Sequence, residues 1–60
     1  MKINSKWLHT SKPGIYQIVD NVLLEAKGKT ESGVIYMNID EPEKKYCRSS
    51  RSFKMNFKSM

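Results

Sequence analysis

The chain has 60 residues, of which 11 are Lys or Arg and 6 are Asp or Glu, for a formal net charge of +5; 38% is hydrophobic and a single residue is Cys. This length makes one small domain with a thin core, because a chain of this size removes only about 60% of its unfolded surface from water. A second domain and a deep cavity are excluded, as are an internal disulfide and, given the frequent Val, Ile, Leu and aromatic residues, a disordered chain.

Residues 1–13 are polar apart from Ile3, Trp7 and Leu8, so residues 1–12 are expected to be an irregular, flexible segment that ends in Lys12-Pro13-Gly14. Pro-Gly signals a turn, since Pro fixes φ and Gly supplies φ > 0. Residues 15–20 are β-branched and aromatic, which predicts a strand closed by Asp20-Asn21, and residues 22–26 predict a second. Residues 27–33, polar between Gly28 and Gly33, form an expected hairpin loop. Residues 34–39 are the clearest strand, apolar on both alternating sets and therefore central.

Asp40-Glu41-Pro42-Glu43 is a turn, and residues 44–49 are a fourth strand bridged by residues 50–52 to the last stretch. There Phe53, Met55 and Phe57 alternate with Lys54, Asn56 and Lys58. Period two favours a half-buried strand over the competing helix, in which Phe53 and Phe57, four apart, would also share a face. Five short strands separated by turn signals predict an all-β fold, a small barrel or meander, with barrel closure hiding the edges.

The N-terminal stretch has no apolar h-region, and the longest apolar run, Val22-Leu23-Leu24, is far too short to span a bilayer. A lone Cys47 and the lack of staples suit a reducing cytoplasm rather than secretion.

The order Trp7, Pro13-Gly14-Ile15-Tyr16-Gln17-Ile18-Val19, Leu24-Glu25-Ala26, Val34-Ile35-Tyr36-Met37, Tyr46 with Arg48, and Phe53 resembles small SH3-like β-barrel proteins. These are accessory proteins of unknown function from bacteria and their phages, with a Gly-x-Tyr strand, a Val-x-Tyr strand, an aromatic-x-Arg strand and a terminal Phe. The resemblance spans most of residues 7–57 through short motifs, and the chain departs from it at Ser49-Ser50, where that family has Pro-Leu. It implies an SH3-like barrel of about five antiparallel strands over residues 1–60 and a phage-type setting, inside the host cytoplasm if so encoded, but no activity.

The residues offer little for catalysis. Cys47 and His9 are the only Cys and His, and a nucleophile needs a base in reach and a third group to orient it. Cys47 between Tyr46 and Arg48 is expected to be a small buried hydrophobe, and His9 a surface or packing residue. Structural zinc needs four ligands and the chain offers two; the three acids of residues 40–43 lack the spacing of a calcium loop. Gly28 and Gly33 lack the context of a phosphate-binding loop. No enzyme, metal or cofactor is expected.

Charge is the strongest signal. Residues 44–60 hold six cations (Lys44, Lys45, Arg48, Arg51, Lys54 and Lys58) and no acid, whereas residues 1–43 hold five Lys against six acids. Cations interleaved with Tyr46, Phe53 and Phe57 suit phosphates and stacked bases, although the same cations also serve as a solvated face. The expected function is a non-enzymatic binding module that engages nucleic acid or another acidic partner through this basic face. The alternative is a small inhibitor or adaptor docked on one host protein, such as a defence or regulatory protein, through a strand edge and the candidate anchors Trp7, Tyr16, Tyr36 and Tyr46. No membrane partner is expected, and a homodimer is open.

Overall fold

The computed structural model describes residues 1–60 as strands β1 (Lys6–His9), β2 (Ile15–Ala26), β3 (Lys29–Asn38) and β4 (Tyr46–Ser49), helix α1 (Ser50–Asn56) and strand β5 (Phe57–Ser59). All five strands form one antiparallel sheet in the order β4-β3-β2-β1-β5. The fold is therefore mainly β, as the residue pattern predicts. The sheet is not closed: β4 and β5 are its two edges and do not pair with each other.

The dominant unit is the β2–β3 hairpin. Lys27 (φ 53°) and Gly28 (φ 76°) form its whole turn, with Ala26 paired to Lys29. Two consecutive positive φ values match the right-handed twist of the flanking strands. The polar residues 29–33 thus belong to a strand rather than a loop, because ladder hydrogen bonds come from the backbone and tolerate exposed polar side chains. The expected stop at Asp20-Asn21 is absent: both residues pair with β3, and a bulge at Val19 precedes them, with Ile18 paired to Tyr36 and Asp20 to Ile35. The extra residue bends β2 without ending it.

The segment expected to be irregular contains β1. Lys6–His9 pairs with β2 on one side and β5 on the other, and ahead of it the Asn4 N–H donates to the Ile18 carbonyl at 2.9 Å. Ser5 accepts from the Ile18 N–H at 3.0 Å. Backbone pairing on both flanks stabilises a strand whose side chains carry little β signal.

Residues 50–56 are a helix, not the expected strand. The Ser49 Oγ accepts from the Ser52 N–H at 3.1 Å, an N-cap that satisfies one orphan donor of the first turn. Helical spacing then stacks Phe53 on Phe57, with centroids 4.1 Å apart and planes 7° apart, while Met55 turns outward at 75% exposure. Alternation would have put all three on one face.

The core comprises Ile18, Val34, Tyr36, Phe53 and Phe57, with Met1, Trp7 and Tyr16 packed against it. Burying each of Ile18, Val34, Phe53 and Phe57 contributes roughly 1.5–3 kcal/mol.

A candidate cleft of aromatic rings and unpaired cations

Residues directly opposite each other in a sheet share a face. The pairs Trp7–Tyr16, Ile18–Tyr36, Tyr36–Tyr46, Val34–Arg48 and His9–Phe57 therefore set the aromatic side chains and Arg48 on the inner face. There, a cleft of about 160 Å³ is lined by His9, Lys12, Tyr16, Tyr46, Arg48 and Phe57, with the nearly buried Tyr36 also facing it. Its rings support one another edge to face: His9 and Phe57 at 4.7 Å, Tyr16 and Phe57 at 5.2 Å, and Tyr36 and Phe57 at 5.3 Å. Tyr46 lies tilted by 31° against Tyr36 at 5.6 Å and is 44% exposed.

Arg48 is fixed at the cleft without a carboxylate. Its Nε donates to Tyr36 Oη at 3.0 Å and its Nη1 to Ser52 Oγ at 3.3 Å, with Cζ 5.7 Å from the Phe57 centroid. A guanidinium has five N–H donors in a planar fork, so the remaining donors are available. The chain's one ion pair is Lys44 with Glu41, at 2.9 Å.

The turn after β1 shapes the other wall. His9 Nδ1 accepts from the backbone N–H groups of Ser11 (3.0 Å) and Lys12 (3.1 Å). That nitrogen therefore carries the lone pair and Nε2 the proton. Gly14, at φ 109°, then reverses the chain in close contact with Asn38, where a Cβ would lie 2.7 Å from Nδ2.

The six C-terminal cations do not form one surface. Arg48 faces the cleft. Arg51 and Lys54 are exposed on α1, and Lys58, paired with Leu8, lies on the outer face of β5. Lys44 is held by Glu41, whose hydrogen bond and charge raise its ammonium above the ordinary lysine value of 10.5, with Tyr46 adding to the effect. Lys45 Nζ donates to the Pro42 carbonyl. Of the candidate anchors, Trp7 is half-buried edge-on to Phe53 at 5.2 Å, and its Nε1 donates to Ser5 Oγ at 2.9 Å. Tyr16 is likewise half-buried and Tyr36 is 5% exposed, which leaves Tyr46, at 44% exposure, as the anchor that presents the most ring surface.

Cys47 is exposed rather than buried. Its partner across the ladder is Ile35, so it lies on the outer face of an edge strand, while His9 lines the inner cleft. The two groups thus form no nucleophile–base pair. No three His, Cys, Asp or Glu side chains converge as metal ligands.

Sequence reasoning missed Lys12, His9 and Phe57 as cleft residues. The available signal was the Pro13-Gly14 turn, which folds Lys12 back beside His9. A larger hollow of about 520 Å³ lies beside Asn21, Leu23, Ser50 and Lys54, but no aromatic ring and no guanidinium lines it. Chemistry, rather than volume, singles out the smaller cleft. No helix is long and apolar enough to cross a membrane. No protein-family model matches this chain, and neither does any curated protein or solved structure.

Proposed function

We propose that the chain is a non-enzymatic binding module for an acidic partner, with single-stranded nucleic acid first among such partners. The observation that carries this reading is the excess of unpaired cations: of 11 Lys and Arg, only Lys44 is in an ion pair, and Arg48 is held at a ring-lined cleft with no carboxylate. A guanidinium held by neutral hydroxyls costs little to present to a phosphate, because no existing ion pair must be broken first. In this reading the fold is an open variant of the small SH3-like barrel, with the gap between β4 and β5. Support comes from the meander of β1 to β4, the return of β5 to β1 and the short helix between β4 and β5. The resemblance to accessory proteins of bacteria and their phages adds a cytoplasmic setting.

The test is fluorescence anisotropy with a labelled mixed-sequence single-stranded 20-mer at rising salt. Affinity should fall with a log–log slope of about −0.7 per phosphate neutralised, and Arg48→Gln should weaken binding at low salt and make that slope shallower by about 0.7. Absence of binding at low salt would overturn the reading.

A second reading, docking on one host protein, draws on the outer face. Leu8 (45% exposed) and Cys47 are exposed there, Ile15, Ile35 and Met37 are only half-buried, and the edges of β4 and β5 are unpaired. A stoichiometric protein partner that survives nuclease and high salt would favour it.

A further inference from the structure

The cleft has a size, a sign and a set of ring faces, and together they narrow its occupant. Resting on the nucleic-acid reading above, we propose that it takes one unstacked pyrimidine base of a single strand, with the adjoining phosphate on Arg48 and Lys12.

Size comes first. A closed cavity of about 150 Å³ holds one benzene ring, and this cleft, open on one side, measures about 160 Å³. A single six-membered ring matches that space more closely than the larger fused rings of a purine. Ring faces come second. Tyr46 projects from an edge strand at 44% exposure, and Tyr16 and Phe57 form a braced wall at 5.2 Å. Base stacking on such rings tolerates any sequence unless the space restricts ring size.

Sign comes third. No acid lines the cleft, whereas Arg48 and Lys12 do. A cationic ligand such as a methylated ammonium, which aromatic rings otherwise attract, meets two positive charges here. A proline-rich peptide would use the rings and leave both cations unmatched. A nucleotide uses both features: the free guanidinium donors of Arg48 and the Lys12 ammonium suit a phosphate. The Nε2–H of His9, fixed by the two backbone N–H bonds to Nδ1, is a donor suited to a pyrimidine carbonyl.

The experiment compares labelled (dT)10, (dC)10 and (dA)10 by anisotropy at low salt, using wild type, Tyr46→Ala and Tyr46→Phe. Circular dichroism checks each variant for folding. A proline-rich decapeptide serves as the competing ligand. Tyr46 is the chosen site because it is exposed on an edge strand and lies outside the buried core. Pyrimidine decamers should bind about ten-fold tighter than (dA)10, Tyr46→Ala should abolish most of that difference, and Tyr46→Phe should retain it.

Equal, salt-dependent binding of all three decamers, with Tyr46→Ala inert, would overturn the pyrimidine site and leave the nucleic-acid reading standing. Binding of none of them would overturn both. Displacement of a bound decamer by the proline-rich peptide at equal affinity would overturn the assignment of the cleft to a base. Should Tyr46→Ala fail to fold, Lys12→Gln in the exposed turn is the second variant, expected to weaken all decamers alike while preserving the pyrimidine preference.

Discussion

Phe53→Leu, measured against Met55→Ala, tests the helical assignment of residues 50–56 directly. Phe53 is fully buried and contacts three rings: Phe57 at 4.1 Å, Tyr36 at 5.0 Å and Trp7 at 5.2 Å. Leucine keeps much of the buried apolar surface but loses the aromatic geometry, at about 0.5–1.5 kcal/mol for each pair, and it leaves a small void. Because such terms are not additive, we predict a net loss of about 2 kcal/mol. For a domain of this size that lowers Tm by about 8–16 °C. Total stability should be about 3–9 kcal/mol, so the variant remains folded and measurable. Met55, by contrast, is 75% exposed, and Ala is the better helix former, so Met55→Ala should stay within about 0.5 kcal/mol of wild type. Thermal and urea unfolding, followed by far-ultraviolet circular dichroism and by Trp7 fluorescence, read both variants. A Met55→Ala loss equal to that of Phe53→Leu would mean that residues 53, 55 and 57 share a buried face, and would refute the helix.

Gly14→Ala should lower stability by about 1–3 kcal/mol, since it combines a φ of 109° with a Cβ 2.7 Å from Asn38 Nδ2. A urea midpoint unchanged from wild type would contradict that strain. The Lys44–Glu41 pair is exposed, its side chains 58% and 49% accessible, so Lys44→Met should leave Tm at pH 7 unaltered within error. Because the folded ammonium titrates above 10.5, whatever the pair contributes is fully present below that pH and fades as pH rises through the folded value. A Tm difference between wild type and variant that grows as the pH rises from about 7 through about 11 would have the wrong sign.

How far the residues alone could be read depended on which interaction decides each element. Hairpin strands rich in Ile, Val and Tyr, such as residues 15–19 and 34–37, announce themselves because side-chain packing and backbone pairing agree there. β1 does not: Lys6 and His9 are poor strand formers, and the segment is ordered by pairing with β5, some fifty residues away. Asp20-Asn21 resembles a stop because polarity is local, whereas the bulge that carries the strand through it depends on the register with β3. For residues 53–57 the signal was degenerate, since residues four apart share a face in both a strand and a helix. Ser49 three residues before Ser52 was the deciding cue, through the cap it makes. The aromatic residues of the cleft were recognised singly, but their convergence with Lys12 needed the folded turn. The basic stretch was legible as charge and illegible as a surface, because Arg48 faces the inner cleft while Lys58 lies on the outer face of β5.

The pairing of Trp7 with Ser59 has a consequence for the order of assembly. As the chain leaves a ribosome, the β2–β3 hairpin can form first, since its partners lie close in sequence and its turn closes a minimal loop. Ile18, Val34 and Tyr36 then wait with one side uncovered until Phe53 and Phe57 emerge, and β1 remains a half-paired strand until β5 arrives. The core therefore closes only once residues 53–59 have been made, and the same segment supplies both the lid of the core and one wall of the cleft. Trp7, resting on Phe53, is the built-in fluorophore that reports when that closure has taken place.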